Sequence, residues 1–163
     1  MIAIRRASSR DTEVLQAILD HPEVAKGAKH GFPSVLRLDA TKALRGAMVY
    51  MVETPGVVGA FLVERHHHDA EVHTLMLPEA RGAVARDAGD LLLEELFLGE
   101  GLDMVFGCAH KDLRHVALYM RQAGFTRLTR LGDFDWFSCT EGQWVSRSRL
   151  CLRAGMRYGI RPG

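Results

Sequence analysis

Apolar residues recur along this chain at two spacings, every second position and every third or fourth, and their succession predicts a mixed α/β architecture. Ile2–Arg6 reads as a short strand. Ser8, Ser9 and Asp11 then offer capping side chains ahead of Val14, Leu15, Ile18 and Leu19, which share one helical face. His21-Pro22 should close that helix, because proline disfavours helical geometry in the residue before it. Lys26 to Ser34, rich in glycine and lysine, reads as a loop, and Leu38–Leu44 as a short helix. Ala47–Glu53 and Val57–Glu64 flank Thr54-Pro55-Gly56 and predict an antiparallel hairpin.

A polar turn, His66-His67-His68-Asp69, leads into the strand Glu71–Leu77. Alternation there sets Glu71, His73, Leu75 and Leu77 on one face and Val72, Thr74 and Met76 on the other. From Arg86 to Leu98, Ala88, Leu92, Leu93, Leu96 and Phe97 form a broad helical stripe, which Gly99-Glu100-Gly101 stops. Met104–Ala109 has few polar residues and predicts a strand covered on both faces. In Asp112–Ala123, Leu113, Val116, Ala117 and Met120 share a helical face with Tyr119 on its flank, and Gly124 suits the left-handed closing position. Thr126–Leu131 and Asp133–Cys139 complete the chain as a strand pair. Beyond Trp144 come five arginines and no acid, which reads as a solvated tail or a short terminal strand.

Length and composition narrow the function classes. A chain of 163 residues suits one domain with one core, here 1–140, with 141–163 as a basic extension of it. The net charge of +1, and the lack of a basic stripe studded with aromatics, argue against nucleic acid as the target. Phe134, Trp136 and Phe137 therefore read as strand packing. No apolar run reaches membrane-spanning length and the N-terminus carries no hydrophobic leader, so a cytoplasmic protein is expected. Cys108, Cys139 and Cys151 are odd in number and lack C-x-x-C spacing, so Cys108 is expected as a buried free thiol. No metal is expected either: consecutive histidines in a turn point in different directions, and no second ligand cluster lies near in sequence.

The chemistry gathers between Leu75 and Phe125. Strand, basic glycine turn and helix follow one another at Leu77-Pro78-Glu79-Ala80-Arg81-Gly82-Ala83. A helix N-terminus exposes amides without intrahelical partners and attracts phosphate. Gly82 opens the backbone to an anion, Ala83 and Ala85 add little bulk, and Arg81 and Arg86 could supply charge.

Together with the later spacing Leu118-Tyr119-x-x-x-x-Gly124-Phe125, this arrangement resembles the GNAT superfamily of acyl-CoA-dependent N-acetyltransferases. The order of elements from residue 1 to about 140 is similar too. The resemblance implies a mixed, mostly antiparallel sheet flanked by helices and splayed between its fourth and fifth strands, with acetyl-CoA in the split and no metal. It implies that pantetheine pairs with Leu75, Met76 and Leu77, and that the pyrophosphate sits on Arg81, Gly82, Ala83, Ala85 and Arg86. Tyr119 would protonate the departing thiolate, and Glu71 or His73 would take the proton of a primary amine. The acceptor itself is left open, and a homodimer is allowed. Two features depart from the family pattern: the loop has Val84 and Arg86 where small residues are usual, and Asp112 stands where an asparagine commonly contacts the cofactor. A domain that has lost catalysis and serves as a binding or assembly module is the competing implication.

Overall fold

The computed structural model describes residues 1–31 and 39–153. Continuous apolar runs in β2 (Met48–Glu53) and β3 (Val57–His66) make two neighbouring strands buried on both faces, folded on each other across the Thr54–Gly56 turn. β1 (Ala3–Arg6) adds to the outside of β2, and β4 (Asp69–Met76) pairs with β3 along its whole length. The two-residue turn between β3 and β4 holds His67 at a positive φ of 58°. β5 (Met104–His110) runs parallel to β4, β7 (Phe134–Thr140) antiparallel to β5, and β6 (Thr126–Leu131) lies outermost. The sheet order is β1-β2-β3-β4-β5-β7-β6. Its single parallel junction, β4–β5, requires a crossover, and α4 (Ala83–Glu94) supplies it.

Helices cover both faces. On one, Leu15, Ile18, Leu19 and Val24 of α1 (Thr12–Asp20) and α2 (Pro22–Gly31) join Ala40 and Ala43 of α3 (Ala40–Gly46). They pack on Val49, Met51, Leu62 and Leu75. On the other, Leu92, Leu93, Leu96 and Phe97 pack on Tyr50, Phe61, Val63 and Val105. Met120 of α5 (Arg114–Gln122) seats on Ala109 and Phe137. Burying a side chain such as Leu92 or Phe61 contributes about 1.5–3 kcal/mol. These layers are those of the expected α/β sheet flanked by helices.

Four expectations are corrected. The segment from Lys26 is helical as far as Gly31, because Val24 and Ala28, four residues apart, bury one side of α2 and Pro22 is tolerated in a first turn. The remainder of that expected loop, and Leu38, lie outside the described residues. The leucine-rich helix starts at Ala83, not Arg86, and ends in a π turn, Glu95–Gly99. β5 is not covered on both faces: Val105, Gly107 and Ala109 are buried, whereas Met104, Phe106, Cys108 and His110 are half-buried. Residues after Trp144 form neither tail nor strand but α6 (Glu141–Arg153), held by Trp144 against Phe97 with ring centroids 5.7 Å apart. Arg147 bridges Asp90 on α4 and donates to the Gln122 carbonyl at the end of α5. Residues 154–163 lie outside the described chain.

Ion pairs help tie down the N-terminal strand, and the one to Asp11 is bidentate. Arg5 grips Asp11 through both terminal nitrogens at 2.7 and 3.0 Å, and the Ser8 amide donates to the same carboxylate at 2.7 Å. These bonds, Arg5 first, hold the Asp11 carboxyl well below its usual range. A depressed carboxylate contributes stability that is present above its unfolded pKa of about 4 and fades as pH falls below it. Asp11→Asn should therefore cost about 1–2 kcal/mol in urea unfolding at pH 7. The gap from the unchanged protein should narrow as the pH is lowered below about 4.

Candidate active site

The site is a place where pairing stops. β4 and β5 are in register only at Asp69↔Met104, Ala70↔Val105 and Glu71↔Phe106. Past that point β4 continues to Met76 on β3, and β5 continues to His110 on β7, so the two strands part company. Among the described residues, the edge of β4 beyond Glu71 has no strand partner on the β5 side. Thr74, in the middle of a central strand, is consequently exposed, which shows the split to be open.

The N-terminus of α4 follows β4 through a short turn, Pro78–Ala80. Gly82, the residue before the helix, has φ 80° and ψ −120°, a conformation that residues with a Cβ avoid. No side chain caps this helix, and its first internal bond runs from the Arg86 amide to the Gly82 carbonyl at 3.1 Å. The amides of Ala83, Val84 and Ala85 thus precede the ladder and concentrate positive potential. Side-chain charge is less committed to this spot than the sequence suggests. Arg81 turns to α2, 3.3 Å from the Glu23 carbonyl and 3.8 Å from its carboxylate, while Arg86 is exposed. Ala85 is buried, so it is a packing residue as well as a donor.

Tyr119 stands between β4 and α4. Its hydroxyl donates to the Ala85 carbonyl at 3.1 Å. It rests on the bare backbone of Gly89, where a Cβ would come within 2.8 Å of the oxygen. Burial pushes the phenol up to about 12, a Thr74 hydrogen bond opposing and Asp90 reinforcing the shift. The group is therefore a protonated donor throughout the neutral range. A small cavity between Phe61, Val72, Thr74, Gly89 and Leu93 adjoins its ring.

Glu71 and His73 occupy the opposite face of β4, with Glu71 Oε1 3.6 Å from His73 Nε2. Both are 7% exposed. Burial raises the Glu71 carboxyl, with Glu64 adding to the effect, and pushes His73 down to about 4. Both pKa shifts favour the uncharged form, and His73 is a neutral imidazole at pH 7. Leu75 faces α1, Met76 faces α4, and Leu77 is partly buried beside α1. Asp112 lies exposed beyond the end of β5, 3.6 Å from His110 Nδ1. Cys108 is half-buried and its thiol is pushed up to about 11, so it is a poor nucleophile.

No family model and no curated protein sequence matches the chain. Solved structures do. A spermidine N-acetyltransferase from Vibrio cholerae, in complex with CoA and spermine, superposes with a TM-score of 0.74 at 14% identity, over 88% of this chain and 98% of that one. A GNAT-family acetyltransferase from Bacillus anthracis gives 0.69 at 15% identity, over 86% and 95%. The chain has the GNAT fold. The split between β4 and β5, expected of that fold, is present.

Sequence reading missed three contributors to the GNAT split. Gly89 and the Ala85 carbonyl receive Tyr119, and Thr74 faces it across the opening. Glycine within a helix was the one available signal, since it disfavours helix unless something needs the room.

The buried imidazole has a measurable consequence. The unfolded chain takes up a proton on His73 near pH 6.5, the folded one only near 4, so acidification across that window favours unfolding. Glu71, shifted upward, acts in the opposite sense and partly offsets the loss. His73→Gln should flatten the acid limb of stability measured by urea unfolding from pH 7 to 4. The difference from the unchanged protein should approach about 3 kcal/mol at the acid end.

Proposed function

We propose that this protein is an N-acetyltransferase that passes acetyl from acetyl-CoA to a primary amine by direct attack. The supporting observation is the open split, with uncapped α4 amides and Tyr119 on one side of β4 and the Glu71–His73 pair on the other. Acetyl-CoA would supply the activated acyl group as a thioester. The chain fits it where Gly82 leaves the first turn of α4 bare, since a diphosphate needs amides and an approach free of side chains. A lateral edge of β4 offers main-chain groups to an extended, amide-bearing arm.

Because the split opens a gap rather than a face, groups on both sides of the sheet reach it. Glu71 or His73 accepts the proton of the attacking ammonium or amine, leaving nitrogen free to bond to the acyl carbon. Burial makes the ionised Glu71 carboxylate the stronger base of the two, whereas His73 keeps a free lone pair at pH 7 but is weakened as a base by its burial. As the carbon–sulfur bond breaks, Tyr119 donates its proton to the sulfur. To do so its hydroxyl swings away from the Ala85 carbonyl, which costs one ordinary hydrogen bond of about 1 kcal/mol. Glu71 and His73 work from the side of α1 and α2, so the acceptor approaches from that side and the thiol leaves from the other. Spermine bound to the Vibrio enzyme supports an amine as acceptor. The retention of acid and base around an open split favours catalysis over a purely binding domain.

Thiol release from acetyl-CoA, assayed against a panel of primary amines and polyamines, tests the proposal. Turnover should appear, and Tyr119→Phe should lower kcat about 10²-fold or more while leaving the fold within about 1 kcal/mol. CoA at a hundred times its dissociation constant should stabilise both proteins by roughly 2.7 kcal/mol. Stabilisation without turnover on any amine would favour the binding domain instead, and full turnover by Tyr119→Phe would remove it as the acid.

A further inference from the structure

Cross-strand register assembles a second group of ligating side chains that no stretch of sequence displays. Glu64 on β3 lies directly opposite Glu71 on β4, and Glu71 lies opposite Phe106 on β5. His66, two residues beyond Glu64, points to the same face of the sheet and stacks on Phe106 with ring centroids 6.0 Å apart. One ligand atom from each of Glu64, His66 and Glu71 lies within 4.8 Å of the others.

Two carboxylates facing one another across adjacent strands repel when both are ionised, an arrangement that a proton or a cation relieves. The titratable groups that face Glu71 are Glu64, His66 and His73, whose Nε2 stands 3.6 Å from Glu71 Oε1, and no lysine or arginine is among them. Glu71 is more than nine-tenths buried, and its Oε1 accepts no hydrogen bond among the described residues. Leaving a buried acceptor unsatisfied opposes folding, so the position calls for a donor or a cation. Burial and the open carboxylate oxygen are observations separate from the mere clustering of acids.

We propose that Glu64, His66 and Glu71 form a binding site for one divalent transition-metal ion of the zinc class. Two carboxylates and one imidazole match its preference for oxygen and nitrogen donors, and leave further positions to water. Ligands about 2.1 Å from such an ion stand about 3.4 Å apart, so the triad must contract slightly. Exposed His66 can supply that movement by rotation, guided by its stacking on Phe106. His67 and His68 are not part of the site, since the turn sends them elsewhere. The proposal goes beyond acetyl transfer and needs neither acetyl-CoA nor an amine for its test. A bound ion would occupy Glu71, and so would compete with its use as a base.

Calorimetric titration of chelator-treated, tag-free protein with zinc chloride measures the site. One equivalent should bind, at least tenfold more weakly in Glu64→Gln and in His66→Ala, and undiminished in the double variant His67→Ala/His68→Ala. Cobalt(II) should give visible ligand-field bands that vanish in the same two single variants. His66→Ala, at the exposed end of β3, keeps the test valid should Glu64→Gln fold poorly. Absence of stoichiometric binding would overturn the site. So would binding that survives both single variants, or binding lost with His67 and His68, which would assign the ion to the histidine run alone.

Discussion

The end of parallel pairing after Glu71 and Phe106 governs the rest of this structure. β5 is committed to β7 along its full length and β4 to β3 along its own, so neither strand can follow the other beyond their first residues. A sheet normally separates its two faces, and reagents on one face cannot meet those on the other. Where the ladder opens, the strand edge becomes common ground. Tyr119 lies on the α4 side of that edge and Glu71 and His73 on the α1–α2 side, as the proposed reaction requires.

Keeping the split open has costs that are met nearby. Glu71 and His73 are buried, and burial of ionisable groups opposes folding. The closed end of the sheet compensates with polar ties: Glu100 binds the Tyr50 hydroxyl and Arg65, with Arg6 at 3.4 Å, and Arg5 clasps Asp11 and Glu53. On the helical side α6 adds Trp144 to the core and its Arg147 links α4 with the end of α5. These links brace the two elements, α4 and α5, that carry the uncapped amides and Tyr119. The same burial tunes the site, holding Tyr119 protonated and His73 neutral at pH 7.

How far the chain can be read without coordinates depends on the range of the forces involved. Gly82, uncapped and followed by Ala83, marked its own turn, because a positive φ is a local requirement that only a few residues meet. The alternation in β4 placed Glu71 and His73 on one face before any contact was known. α2 was misread because two glycines outweighed the Val24–Ala28 spacing, and α6 because its arginines hid one buried tryptophan. Arg81, expected at the pyrophosphate, reaches Glu23 on α2, a contact no local pattern announced, since the direction of a long side chain is chosen by tertiary neighbours.

Sequence alone determined which segments are strands and helices over most of the chain, where the glycine turn opens a helix, and which titratable residues share a strand face. These follow from periodicities of two and 3.6 residues and from backbone sterics, all of which act within a few positions. Only the tertiary structure decided where β4 and β5 separate, that Tyr119 settles on Gly89, and that Glu64 and His66 come beside Glu71. Register between strands and contact between helices are set by the packing of the whole core, and no local pattern carries that information.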